Sequence, residues 1–442
     1  MSTVHLGTLA HLTADPFAAP GALEIIESGA LWVDGGGRII DCGARGEILA
    51  QAGEATLEDH GGAWLLPGLV DGHVHFPQYF ATAAYGGQLL DWLAQSILPA
   101  ETAYADSVFA EIAAQQFVGQ LLACGTTTAL VFGSQFFQAN QALFQAAKQA
   151  GLRLIAGATL MDVPGPGIPE VLLKSQQQAQ DEAEALIAYC RDAPLLHYAI
   201  TPRYALSCSP GMMDLCAALL RAHPDTYLQT HINENRGEIA AVLGHFSACA
   251  DYLDVYQRFG LVTERTLLAH NIHVGDAELA RIAQAGCAVC HCPASNLYLG
   301  SGLFPLARHV GRGIRVAVGT DIGAGTSFSI WRNLADAYKI QQLQGETLDA
   351  ARLLYLGTLG GAAALRLEQE TGNFAPGKSA DFFVLEPGEN AYLAERLRRC
   401  DSLAQQLFCL LHLATEREVA STFLRGRRVW RAGADECAGR PF

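Results

Sequence analysis

The chain has 442 residues, half of them hydrophobic and 17% charged, with a formal net charge of −15. This composition supplies a large core, and its acidity excludes a general nucleic-acid binder, which needs a basic surface for phosphate. The length suits one large α/β barrel with an appendage.

The opening MSTVHLGTLAHLTADPF lacks the basic and apolar regions of a signal peptide. No apolar run approaches the roughly 20 residues that span a bilayer, so the chain reads as soluble and cytoplasmic, with no membrane partner. Its 12 cysteines are scattered through apolar segments, a pattern that suits buried reduced thiols.

Residues 1–66 read as short strands joined by Gly-rich turns. Within them ALWVDGGGRIIDCG alternates apolar and polar positions around a reversal, a hairpin signal. Next comes LPGLVDGHVHFPQ, residues 66–78, read with the preceding leucine as one buried strand that ends in His73 and His75. Side chains at i and i+2 of a strand share a face, so both imidazoles point the same way.

Further strands are expected at CGTTTALVFG, RLIAGATLMD, LHYAITPRYAL, YLQTHINEN, TLLAHNIHV, CAVCHCPAS and IRVAVGTDIG. Helix-like stretches separate them, several closed by Gly. Eight strands alternating with helices predict a (β/α)8 barrel over 67–370. SADFFVLEP and EVASTFLRGRRVWRAG are strand-like again. The segments 1–66 and 371–442 are expected to pair into one small discontinuous β-sandwich domain.

Barrel chemistry sits at the C-terminal strand ends. Those ends carry His73 and His75, then Arg203, His231, His270 and Asp321. Each alone could be a hydrogen-bonded core residue, but five metal-type residues on one rim point to a divalent cation. Glu234, three residues after His231, could shuttle protons beside such an ion or merely open the next helix against Arg236. Asp321 could bind metal and accept a proton, or simply start a turn. Cys287 and Cys290 have C-x2-C spacing, but no second ligand pair accompanies them, so a buried seventh strand is preferred to a structural zinc site.

Taken together, PGLVDGHVHFPQ, LLDWL (89–93), ILPAE (97–101), GTTTA, TPRYALSCS (201–209), THINENRGE, HCPASNLYLGSG, GTDIGAG and GKSADFFVLE resemble the amidohydrolase superfamily. Within it the resemblance narrows to the guanine-deaminase family. It implies hydrolytic deamination of guanine to xanthine and ammonia; the alternative is another aminopurine, a pterin or an aminated heterocycle. A catalytically silent homologue is disfavoured, because every expected ligand type is present.

The resemblance further implies that His73, His75, His231 and Asp321 bind one zinc per chain; Fe²⁺ would also suit that donor set. Glu234 would shuttle protons with help from Asp321, and His270 would lie beside metal and substrate. Gln78 and Arg203 would hydrogen-bond the purine, with Tyr204 stacking where Phe is expected and His231 also near the substrate. The fourth strand carries no Lys to bridge a second metal, and the family suggests a homodimer. Residues 79–88, YFATAAYGGQ, match less clearly.

Overall fold

The computed structural model describes residues 2–165 and 167–433. The chain opens with strands β1 (Thr3–Leu12), β2 (Leu23–Val33), β3 (Ile39–Ala44) and β4 (Thr56–Pro67). β2 and β3 form the expected hairpin, with Val33 opposite Ile39. Its turn is held by Asp34, whose Oδ1 accepts from Gly36 N at 2.8 Å and Arg38 N at 2.9 Å.

The central sheet runs through β5 (Leu69–His75), β6 (Thr126–Phe132), β7 (Arg153–Gly157) with a short β8 (Thr159–Leu160), and β9 (Leu196–Pro202). It continues through β10 (Tyr227–Ile232), β11 (Thr266–His270), β12 (Ala288–His291) and β13 (Arg315–Val318). All pair parallel in this spatial order, with β8 beside β9. Between β13 and β5, Asp321 N donates to His73 O at 2.8 Å, and Thr320 N donates to Asp71 Oδ1 at 3.0 Å. The sheet is thus a nearly closed (β/α)8 barrel.

Every barrel strand points an apolar side chain inward. Val70, Leu130, Ile155, Ala199, Tyr227, Leu267, Cys290 and Ala317 share one buried cluster. This is a packed barrel interior, where full burial of a Leu or Ile stabilises by about 1.5–3 kcal/mol. Leu365 and Leu367 join the cluster, and Tyr227 Oη donates to Leu365 O at 2.8 Å.

The C-terminal strands β14 (Phe382–Leu385), β15 (Val419–Leu424) and β16 (Arg427–Arg431) return to the first sheet. Its order is β16-β15-β14-β4-β1-β2-β3, and the two chain ends meet where Phe382 lies opposite Pro67. The turn at Gly426 is a hairpin, entered through Arg425 at φ 51° and Gly426 at φ 70°.

Two differences from the sequence reading have local causes. LLPGLVDGHVH is two strands rather than one: β4 ends at Pro67 in the terminal sheet, and β5 starts at Leu69 in the barrel. At the junction a Cβ on Gly68 would lie 2.0 Å from Thr127 Oγ1, so only glycine passes there. Helices Ala391–Arg398 and Leu403–Leu413 also intervene between β14 and β15. The second is tied to helix Ile330–Leu343 by Trp331 Nε1, which donates to Leu410 O at 2.7 Å.

The cysteines among the described residues are unpaired thiols. Cys287 Sγ, just before β12, donates to Thr263 O at 3.0 Å, and Cys290 on β12 faces the barrel interior, so the two thiols do not converge on one site. No helix among the described residues is long and apolar enough to cross a membrane.

Candidate active site

β5 ends in His73 and His75, and its alternation sends both imidazoles to the carboxyl rim of the barrel. His73 Nε2 and His75 Nε2 each lie 3.2 Å from Asp321 Oδ1. His75 Nε2 also lies 3.2 Å from His231 Nε2. His270 completes the cluster, with Nε2 3.7 Å from Asp321 Oδ2. His73, His231, His270 and Asp321 each place a donor atom within 4.8 Å of the others, and His75 joins through the two short spacings just given.

The backbone is strained where these groups are presented. His270 and Asp321 have φ of 70° and 49°, and Asn233, beyond the end of β10, has φ of 52°. Such left-handed non-glycine residues persist only where surrounding structure holds them. Here His270 and Asp321 turn into one pocket, while Asn233 is held by bonds from Nδ2 to Asn271 Oδ1 and Glu278 Oε1.

Two hydrogen bonds orient the rings. His231 Nδ1 donates to Arg203 O at 2.6 Å, which leaves Nε2 free toward the cluster. His270 Nδ1 lies 3.0 Å from Asn296 Oδ1 and turns its own Nε2 inward. Fixing one ring nitrogen in this way sets which nitrogen can act as a metal ligand.

The donor set fits a divalent cation. His73 is fully buried, and neither of its ring nitrogens makes a well-formed hydrogen bond to a described residue; Nε2 meets the Asp321 carboxylate at 3.2 Å. Unpartnered buried nitrogen is costly, and a cation would satisfy it. Burial lowers the His73 pKa to about 4, so the ring is neutral and its lone pair available. Asp321, by contrast, is held well below the usual carboxylate range. Burial alone would raise it, but His73, His75 and His270 outweigh that effect.

Glu234 is buried beside this cluster, with Oε2 3.5 Å from His270 Nε2 and Oε1 accepting from Ser301 Oγ at 3.2 Å. Burial is the main cause that pushes its carboxyl up to about 7. The helix-start role falls to other residues: Asn235 caps helix Arg236–His245, and Glu238 completes the capping box. Glu234 therefore faces the pocket as a carboxyl group poised near neutrality.

Arg203 follows β9 and is nearly fully buried. Its guanidinium grips Glu101 through both ends, Nη1 to Oε2 at 2.7 Å and Nη2 to Oε1 at 3.0 Å. Gln78 Nε2 donates to Glu101 Oε1 at 3.0 Å, and Gln135 Nε2 donates to Oε2 at 2.8 Å. Burial pushes the Glu101 carboxyl up, but Arg203 and the hydrogen bonds from Arg203 and Gln135 hold it below its ordinary value. The sequence reading placed Gln78 and Arg203 and missed the carboxylate between them, although ILPAE contains it. Asn296 and Ser301 were likewise missed inside HCPASNLYLGSG.

His75, Gln78, Arg203, His231, Glu234, His270 and Asp321 share a pocket with Leu89, Trp92, Leu93, Tyr204 and Leu299. The Tyr204 hydroxyl makes no hydrogen bond to a described residue, so the extra oxygen is left to solvent or ligand. Segment 79–88 borders the pocket and is tied down. Ala83 N donates to Gly323 O at 3.1 Å, and Trp92 Nε1 and Tyr298 Oη both donate to Ala84 O, at 2.9 Å and 3.0 Å.

The parallel barrel, the appended terminal sheet and a rim cluster of histidines and an aspartate define the class as a metal-dependent hydrolase barrel. Residues 64–429 match the Amidohydrolase family, and the chain belongs to it. It is 42% identical over 439 residues to a probable guanine deaminase of Deinococcus radiodurans, covering 98% of this chain and 99% of that protein. It is 41% identical to the guanine deaminase of Escherichia coli, covering 85% and 84% of the two chains. The solved E. coli guanine deaminase structure superposes with a TM-score of 0.92 at 36% identity, covering 98% and 99% of the two chains.

Proposed function

We infer that the chain is a guanine deaminase, converting guanine and water to xanthine and ammonia. The observation that carries this reading is its 42% identity, over 98% of its length, to the Deinococcus protein of that name. The pocket chemistry supports it. His73, His75, His231 and Asp321 would hold one divalent cation, zinc or ferrous iron, with His270 beside it. When bound, the ion supplies the acidity that makes water a nucleophile near neutral pH.

The protein groups divide the remaining work. Arg203 donates to the guanine O6, which gains charge as the ring is attacked. Gln78 has both donor and acceptor atoms and reads the mixed ring edge beside it. Glu101 holds both side chains in place. Tyr204 and the apolar wall at Leu89, Trp92 and Leu299 stack on and enclose the flat base.

Attack forms a C2–O bond while a ring nitrogen gains a proton; the C2–amine bond then breaks and the amine leaves protonated. Glu234 takes one proton from the attacking water, with Asp321 assisting its removal, and delivers it to the ring nitrogen; it then takes the remaining hydroxyl proton as the C2 carbonyl forms and delivers it to the amine, which leaves as ammonia. A carboxyl poised near neutrality suits this two-way traffic. Zinc, a homodimer and a cytoplasmic location belong to the same reading through the family likeness.

The test is ammonia release from guanine, 8-oxoguanine, adenine, cytosine and pterins. Guanine is expected to give the highest kcat/KM. A higher value for a pterin or another aminated heterocycle would reassign the substrate within the same chemistry.

A further inference from the structure

His5, Glu58 and His60 form a second group of metal-type side chains, on the terminal sheet rather than the barrel. β1 and β4 run parallel with His5 directly beside Glu58, and strand alternation puts His60 on the same face as Glu58. His5 Nδ1 lies 3.2 Å from His60 Nε2 and 3.5 Å from Glu58 Oε2. His60 Nε2 lies 4.0 Å from Glu58 Oε1. We propose that these three residues form a second divalent-cation site, which clips β1 to β4 independently of the barrel centre.

The spacing supports a shared ion. Tetrahedral bonds of about 2.0–2.1 Å imply ligand-to-ligand edges of about 3.3–3.4 Å. The two shorter spacings bracket that value, and they match the 3.2 Å separations within the barrel cluster. A His–His hydrogen bond explains the first spacing alone. His5 Nδ1 carries either one proton or one lone pair, yet it faces two partners. If it accepts from His60 it meets the Glu58 carboxylate with a lone pair, and if it donates to Glu58 it leaves the His60 contact unmet. One cation satisfies all three atoms.

The surroundings are consistent with a built site. Phe382 and Phe423 pack edge-on to the His5 ring, with centroids 4.9 and 5.1 Å away. Burial lowers the pKa of His5 to about 3 and lowers that of His60, so both rings are neutral ligands at pH 7. Arg428 pairs with Glu58 Oε1 and turns Oε2 toward the imidazoles. Its charge opposes a cation, so the affinity should be weaker than in the barrel. Glu58 is 30% exposed, which leaves water access to a fourth position.

The test counts zinc in the full-length protein equilibrated with micromolar Zn²⁺, comparing wild type with His60→Ala and with Glu58→Gln, the latter at a partly exposed position. Wild type should bind one equivalent more than either variant and gain more Tm on zinc addition, while guanine turnover stays equal in all three. Co²⁺ should report the same difference through its tetrahedral absorption. Equal stoichiometry and equal Tm gain in the three proteins would overturn the site, whether that stoichiometry is one or two.

Discussion

Glu101 and Arg203 meet in a two-pronged ion pair with bonds of 2.7 and 3.0 Å, 102 residues apart in sequence and buried at the barrel mouth. The same carboxylate accepts from Gln78 and Gln135. One buried charge thus fixes the orientation of the two side chains assigned to the base. Losing one partner of such a pair leaves an uncompensated charge, costing about 3–5 kcal/mol. Glu101→Gln should therefore lower Tm and raise KM for guanine more than it lowers kcat, with barrel metal content unchanged. Unchanged KM in a folded variant would confine Glu101 to a structural role.

Glu234→Gln keeps shape and hydrogen bonding but removes the titratable group. Turnover should fall at least ~10²-fold while metal content and fold are retained. Steady-state kinetics beside elemental analysis decide the point. Near-normal turnover would move proton transfer to another group.

Much of this site could be read from the chain because strand alternation is a local rule. His73 and His75 project together on any strand, and the strand-end positions of His231, His270 and Asp321 follow from counting barrel strands. Glu101 obeys no such rule. It lies at the end of a short helix, Leu98–Glu101, that follows a π-helical turn over Leu93–Ile97. Its side chain is buried among residues distant in sequence, Gln78, Gln135 and Arg203. The split at Gly68 was hidden for a related reason. Apolar residues continue through both strands, and only the contact with Thr127 shows where the chain changes sheets.

The stack of His291, Phe304 and His309 gives a pH prediction. Phe304 lies between the two imidazoles, with ring centroids 4.5 and 4.4 Å away. His309 Nδ1 donates to Pro305 O at 2.9 Å, and Nε2 accepts from Asn271 Nδ2 at 3.0 Å, a pattern that only the neutral ring can make. Burial lowers the pKa of His309 to about 4 and that of His291 to about 3. Unfolded histidines take up protons near 6.5 while these two stay neutral, so the unfolded state binds more protons below that pH. The contribution of these two histidines to stability should be flat above pH 7 and fall as pH drops from 6.5 toward 4, by about 1.4 kcal/mol per unit for each histidine, against the opposite slope of buried carboxyls such as Glu234. Thermal melts should show a shallower slope in His309→Gln. The same pH dependence of Tm in wild type and His309→Gln would contradict the neutral assignment of His309.

Metal dependence follows from the rim cluster. The barrel should hold about one ion per chain, counted most cleanly in His60→Ala, where the proposed second site is removed. Chelation should abolish guanine turnover and Zn²⁺ should restore it. Two tightly held ions in that variant, or full activity in metal-free protein, would contradict a single barrel metal.

The substrate prediction turns on what Arg203 can and cannot accept. A guanidinium only donates, and Glu101 already takes two of its N–H groups, so its remaining donors can face a carbonyl oxygen in the pocket. Guanine offers O6 there. Adenine offers an amine, which would set donor against donor beside a permanent cation. A site built to hydrogen-bond one group rejects an analogue lacking it by about 10⁴-fold or more. Guanine should therefore be strongly preferred to adenine and cytosine. Arg203→Ala should sharply lower kcat/KM for guanine with the metal retained, and because Glu101 loses its counter-charge that variant should also melt earlier. The two effects separate in Arg203→Lys, which keeps a positive charge but loses the two-pronged geometry. Its Tm should recover more than its kcat/KM does. If Arg203→Ala leaves guanine turnover intact, or adenine is processed as well as guanine, Arg203 serves only to neutralise Glu101 and the base is read by other groups.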